Sequence, residues 1–299
     1  MLRAIRSAAG VPVRLAMQVS AGMPIAVSSI ALGPFGRLAR RFLEGPFGLF
    51  TRFASSDHNV IDILDRRAIE ASVDYISTHM TPALAIRSRE ALWTYAAGNA
   101  TSPGLWLEFG VFSGFSVNYL ARRTDRTVWG FDSFEGLQED WKGTGHARGT
   151  FDLGGRLPRV RKNVQLVKGW FNDTVPAFLE RERDAVSLLH LDCDTYEATS
   201  FVLNALGDRL TPDSVVILDD YHGFRGFQEG QFKAWAEFVA GRGLDYRYAA
   251  FNRHAVAIRD IRRADISLQS PSASRGMNRP DGTDYSPVLA WSGGSSAAA

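Results

Sequence analysis

The chain has 299 residues, of which 45% are apolar and 22% charged, with a formal charge of +2; this balance suits one large α/β domain with extensions. Six arginines (Arg3, Arg6, Arg14, Arg37, Arg40 and Arg41) precede the first acidic residue, Glu44, leaving 28 basic against 32 acidic residues in the remainder. That acidic remainder argues against a nucleic-acid substrate, and the single cysteine, Cys193, excludes an intrachain disulfide and a cysteine-based zinc site and fits a cytoplasmic location.

Residues 1–56 read as a basic, acid-poor extension. Its uncharged stretch from Leu15 to Gly36 is broken by Gln18, Gly22 and Pro24. It makes a poor spanning helix and a poor signal peptide, and suits packing on the protein or contact with a membrane surface. Residues 57–100 read as a helical cap. Asp57 is placed as an N-cap before Val60, Ile61, Ile63, Leu64 and Ile69, and a second helix is predicted from about Ile86 to Ala97. Ser102-Pro-Gly104 closes the segment.

A catalytic domain is expected over 101–262, where strand, loop and helix alternate. Strands are predicted at Leu105–Phe109, Thr127–Phe131, Val164–Val167, Leu188–Leu191 and Val215–Leu218, with helices over Pro176–Leu179, Thr199–Leu206 and Gln231–Val239. A hairpin of Tyr246–Phe251 and Ala255–Ile258 follows. Short apolar strands alternating with helices imply a Rossmann-like α/β fold: a mostly parallel sheet, covered on both faces and closed by an antiparallel hairpin. Residues 263–299 are rich in Ser, Pro, Gly and Ala and read as mostly disordered.

On such a sheet, ligands bind at the carboxyl ends of the strands. The first strand ends in Glu108-Phe-Gly110-Val-Phe-Ser113-Gly114, whose small residues allow close approach to the backbone. The second ends in Asp132-Ser133, about 20 residues beyond the turn, where an acid can accept from ribose hydroxyls. No third glycine follows at dinucleotide spacing, which favours a nucleoside without pyrophosphate and disfavours a nicotinamide dehydrogenase. The fourth strand leads into Asp192-Cys-Asp194-Thr-Tyr-Glu197 and the fifth into Asp219-Asp220-Tyr-His222. Adjacent carboxylates at neighbouring strand ends repel, and a hard divalent cation such as Mg²⁺ is their natural partner. The bland alternative has Asp194 capping a helix from about Tyr196, with Asp219 and Asp220 solvated in a loop.

Glu-Phe-Gly-Val-Phe-Ser-Gly at 108–114, Gly-Phe-Asp-Ser-Phe-Glu-Gly-Leu at 130–137, Leu-Asp-Cys-Asp-Thr-Tyr-Glu at 191–197 and Leu-Asp-Asp-Tyr at 218–221 resemble the macrocin O-methyltransferase family. The resemblance implies a class I methyltransferase that uses S-adenosylmethionine and Mg²⁺ to methylate a hydroxyl of a sugar-containing or phenolic small molecule, with glycolipid acceptors open. It implies cofactor contacts from Glu108, Gly110, Ser113, Gly114, Asp132, Ser133, Gly169, Trp170 and Phe171. It makes Asp192, Asp219 and Asp220 metal ligands, with Asp192 also a general base. His222 is a second catalytic candidate. The glycine-rich loop Gln138–Pro158 reads as a lid, and a homo-oligomer is compatible. The segment His222–Gly230 departs from the family pattern. Two rivals are a metal-independent methyltransferase with His222 or His146 as base, and a non-catalytic binding protein of the same fold.

Overall fold

The computed structural model of the chain describes residues 59–264. The expectations for residues 1–56, for Asp57 and for the tail beyond Ala264 lie outside them. Asn59–Asp62 enter the first helix, α1 (Val60–His79), where Asn59 Oδ1 accepts from the Ile61 amide. From Ile63 onward the elements belong to one domain. They run β1 (Leu84–Ala85), α2 (Arg89–Asn99), β2 (Leu105–Phe109), α3 (Phe115–Ala121), β3 (Val128–Asp132), β4 (Val164–Lys168), α4 (Phe171–Arg181), β5 (Val186–Leu191), α5 (Tyr196–Leu206), β6 (Val215–Leu218), α6 (Gln231–Arg242), β7 (Leu244–Phe251) and β8 (Val256–Arg263).

The eight strands of the described residues form one sheet in the order β1-β7-β8-β6-β5-β2-β3-β4. Strands β2 to β6 pair in parallel, while β8 runs antiparallel to β6 and β7. The predicted α/β class and closing hairpin are therefore observed. One strand was not expected: β1, two residues long, pairs in parallel with the far side of β7. Two residues carry no alternation, so the cap segment 57–100 read as purely helical. Its second helix also starts later than predicted, at Arg89, because Ser88 Oγ accepts from the Ala91 amide and caps it.

Alternate side chains of the central strands serve two cores. Leu107, Phe109, Leu189, Leu191, Val216 and Leu218 pack on one face with Phe178 of α4, Leu203 of α5 and Trp235 of α6. Trp106, Leu188, Val215 and Ile217 pack on the other with Trp93 and Ala96 of α2 and Val117 of α3. Burial of both faces explains why these strands read as continuous apolar runs. The chain leaves β2 for β3 and β4 on one side and returns to β5 and β6 on the other. That reversal opens a crevice at the carboxyl ends of β2 and β5. No helix among the described residues is long and apolar enough to cross a membrane.

Candidate active site

A cavity of about 590 Å³ occupies that crevice, within the range of small-ligand sites. Its wall includes Gly110, Ser113, Asp132, Ser133, Trp170, Phe171, Asp192, Asp194, Asp219 and Asp220. The structure thus brings most of the predicted site residues together. Glu108, Gly114, Gly169 and His222 are not in the wall.

The turn after β2 is held by Asp132. Its Oδ2 accepts from the amides of Val111 (2.8 Å) and Phe112 (2.7 Å), and its Oδ1 from the Phe134 amide (2.6 Å). Three backbone donors leave the carboxylate little acceptor capacity, so its first task is to shape the turn. Gly110 has φ 90°, and a Cβ there would lie 1.8 Å from the carbonyl oxygen of Asp192. Only glycine lets the β2 and β5 ends come this close. Gly114 is the N-cap residue of α3 with φ 82°. The Gly169 amide donates to the Asp132 carbonyl, tying the β4 end to the β3 end.

Glu108 departs from its expected place. Cross-strand register sets it beside His190, both fully buried on the α2 face. Glu108 Oε1 accepts from Ser116 Oγ (2.8 Å) and Oε2 lies 3.0 Å from His190 Nδ1. The other ring nitrogen of His190 lies 3.5 Å from Asp219 Oδ1. Burial works against a charged ring, but the Asp219 and Glu108 carboxylates outweigh it and push His190 up to about 10. Glu108 therefore braces the acid cluster from behind rather than facing the cavity.

The acids themselves fall into two overlapping groups whose ligand atoms lie within 4.8 Å of one another: His190, Asp192 and Asp219, and Asp192, Asp194 and Asp220. In the first, Asp219 is already served. Trp93 Nε1 lies 3.4 Å from its Oδ1 and Arg89 Nη2 is 3.1 Å from its Oδ2. Despite burial, His190 and Arg89 hold the Asp219 carboxyl below its usual range. In the second group compensation is incomplete: His190 and Arg89 offset only part of the cost for Asp192, and Arg89 part of it for Asp220. Burial and then the neighbouring Asp219 charge push Asp192 well up; burial and then Asp194 do the same to Asp220; and burial with Asp192 pushes Asp194 up to about 8. The Oδ2 atom of Asp220 is buried with no hydrogen-bond partner among the described residues. Asp194 does not cap α5 as the bland alternative had it. Thr195 is the cap, accepting from the Ala198 amide, while Asp194 sits in the left-handed region at φ 63°. That strained backbone is common at functional sites.

His222 does not fit a catalytic role. It is 1% exposed, and neither ring nitrogen has a hydrogen-bond partner among the described residues. Burial and neighbouring His254 lower it to about 4. His146 stacks on Trp141 in the glycine-rich loop and is not in the wall. That loop contributes Gln138, Glu139, Trp141 and Phe151 to the wall, and Gly143 packs against the backbone of Arg225 and Gly226.

Sequence reasoning missed three residues of the site. Arg89 and Trp93 come from α2, one turn apart on the same helix face. Arg89 was detectable as a cation in the first turn of a helix, where the dipole disfavours it. Gln231, fully buried, accepts from the Asp220 amide at 3.0 Å and donates to the Leu191 carbonyl at 3.1 Å, locking the two acidic strand ends together. Nothing local in the sequence marks it.

Comparison with known proteins accords with this arrangement. Residues 96–260 match the family model for macrocin O-methyltransferase (TylF). A Streptomyces olivaceus protein named as an 8-demethyl-8-(2,3-dimethoxy-α-L-rhamnosyl)-tetracenomycin-C 4′-O-methyltransferase is 31% identical, over 50% of this chain and 67% of that protein. The mycinamicin III 3″-O-methyltransferase of Micromonospora griseorubida is 34% identical, over 40% of this chain and 56% of the relative. Among solved structures, that of the calicheamicin methyltransferase CalS11 aligns with 81% of this chain and 99% of its own at 20% identity and a TM-score of 0.46. The chain belongs to the macrocin O-methyltransferase family and is an S-adenosylmethionine-dependent O-methyltransferase.

Proposed function

We propose that the enzyme methylates a hydroxyl on the sugar of a glycosylated small molecule, with the help of a divalent cation, Mg²⁺, held by Asp192, Asp219 and Asp220. The observation that carries the metal is the buried, unpartnered Oδ2 of Asp220 beside Asp192 and Asp194. Asp192, Asp194 and Asp220, raised by burial and by neighbouring carboxylate charge, stand beside Asp219, which His190 and Arg89 hold ionised, and this crowd of oxygens is a donor set that fits a hard cation. When bound, the cation supplies positive charge that lowers the pKa of an acceptor hydroxyl. The cofactor supplies an electrophilic methyl group.

The chain's own residues do the rest. The turn at 110–113, fixed by Asp132, together with Trp170 and Phe171, forms the end of the cavity suited to the cofactor. Asp132 Oδ1, with one backbone partner, keeps a lone pair for a ribose hydroxyl. With Asp192 and Asp219 already facing cations, Asp194 is the carboxylate suited to take the acceptor's proton. This moves the base from Asp192, the sequence-based expectation, to its neighbour two residues on.

The acceptor class rests on two supports. Among the described residues, the wall carries seven carboxylates (Asp132, Glu139, Asp192, Asp194, Glu197, Asp219 and Asp220) and one basic residue, Arg89. That charge repels nucleic acid and other polyphosphates. Phe112, Phe115, Trp141 and Phe151 line the same cavity and offer the apolar faces on which sugars and flat aglycones pack. The named relatives act on a rhamnosyl tetracenomycin and on mycinamicin III. The test supplies methyl-labelled S-adenosylmethionine with glycosides and with their matching aglycones. Label is expected in the glycosides, on a sugar oxygen. Equal labelling of the aglycones would move the acceptor to a phenol.

A further inference from the structure

Arg89 stands against an electrostatic rule. It is the first residue of α2, directly after the cap Ser88, where a helix N-terminus disfavours a cation. Its ion pairs reach into the acid cluster. Nη2 is 3.1 Å from Asp219 Oδ2 and 3.6 Å from Asp192 Oδ2. Its guanidinium carbon is 5.0 Å from the centre of the Trp93 ring, and Trp93 itself reaches Asp219.

The two sides of these ion pairs differ in freedom. The Asp219 side chain is 5% exposed and held by His190 and Trp93, whereas that of Arg89 is 51% exposed on a long stem. The arginine can leave and the carboxylate cannot. Among the described residues, Arg89 is also the one basic residue in the cavity wall. A divalent cation drawing on Asp192 and Asp219 needs the oxygens that the guanidinium now occupies, and two such charges within a few ångströms repel.

Resting on the metal reading above, we infer that Arg89 is the resident counter-ion of Asp192 and Asp219, which competes with the divalent metal for them and is displaced when it binds. It is a positioning residue. Without metal it keeps two mutually repelling ligands together and aimed at the cavity. With metal it has to yield, so the site exchanges its ion more readily than the carboxylates alone would.

The test measures Mn²⁺ binding to the full chain, by loss of the free-ion electron paramagnetic resonance signal, alongside the thermal midpoint. Arg89→Gln is expected to bind Mn²⁺ about tenfold more tightly than the wild type, with Arg89→Lys in between. The metal-free midpoint of Arg89→Gln should fall, and Mn²⁺ should raise it by more than it raises the wild type. A purely structural role would lower the midpoint and leave Mn²⁺ affinity unchanged; that result, or weaker binding, overturns the inference. Asp220→Asn distinguishes the two levels. If Asp220→Asn loses Mn²⁺ while Arg89→Gln equals the wild type, the metal reading stands and the role of Arg89 falls. If Asp220→Asn binds as well as the wild type, both fall.

Discussion

At the scale of single residues, His190 is the centre of the site's electrostatics. Its fully buried ring lies between Glu108 and Asp219, which it helps to aim at the cavity. Removing it leaves two buried carboxylates facing each other, and breaking a buried pair in this way costs about 3–5 kcal/mol. His190→Gln is therefore expected to lower stability by about that amount, read from chemical denaturation at pH 6.5. The pH dependence has a definite sign. A ring held at about 10, against about 6.5 unfolded, contributes fully below about pH 6.5 and loses that contribution as pH rises towards 10. The stability gap between the wild type and His190→Gln should thus narrow from pH 6.5 to pH 10. A gap that stays constant over that range would mean that the ring is neutral in the folded protein. Little of this was legible beforehand. Glu108 and His190 lie 82 positions apart and become neighbours only through strand register. Glu108 therefore read as part of the cofactor turn, and His190 as one more residue of a buried strand.

At the scale of elements, the strand ends make the site, and one glycine sets how closely two of them approach. A Cβ on Gly110 would strike the Asp192 carbonyl and would need a φ that side chains rarely adopt. Gly110→Ala is expected to cost about 3 kcal/mol or more and to weaken binding of S-adenosylhomocysteine about tenfold or more. Gly145→Ala is the control, since nothing lies within 4 Å of a Cβ there; its effect should stay within about 0.5 kcal/mol. Equal effects from both would detach the turn from the acid cluster. The five parallel strands and their order along the chain were readable, because buried strands between glycine turns have a clear apolar signature. So were Asp132 and the acids that follow β5 and β6, because a parallel sheet sends its carboxyl ends to one edge. The contribution of α2 was not. Arg89 and Trp93 read as residues of a helix outside the catalytic region, and only the packing of α2 on the β6 side of the sheet brings them to Asp219. Element ends moved for local reasons. Ser88 starts α2 later than apolar spacing suggested, and the hairpin strands extend beyond their apolar cores to Leu244 and Arg263.

At the scale of the whole molecule, the described domain joins two half-sites across one crevice. The β2, β3 and β4 ends form the part suited to a nucleoside cofactor. The β5 and β6 ends, braced by α2 and by Gln231 of α6, form a carboxylate cluster suited to a metal and an acceptor hydroxyl. The two are joined through Gly110 and Asp192 but use different residues, so they are expected to be separable. The most direct measurement follows both functions on one preparation before and after EDTA. Calorimetry reads S-adenosylhomocysteine binding, and label transfer reads turnover. Binding should persist within a few-fold while turnover is lost and then returns with Mg²⁺; Asp220→Asn should bind the cofactor product and fail to turn over even with Mg²⁺. Turnover that survives both EDTA and Asp220→Asn would contradict the metal-assisted account.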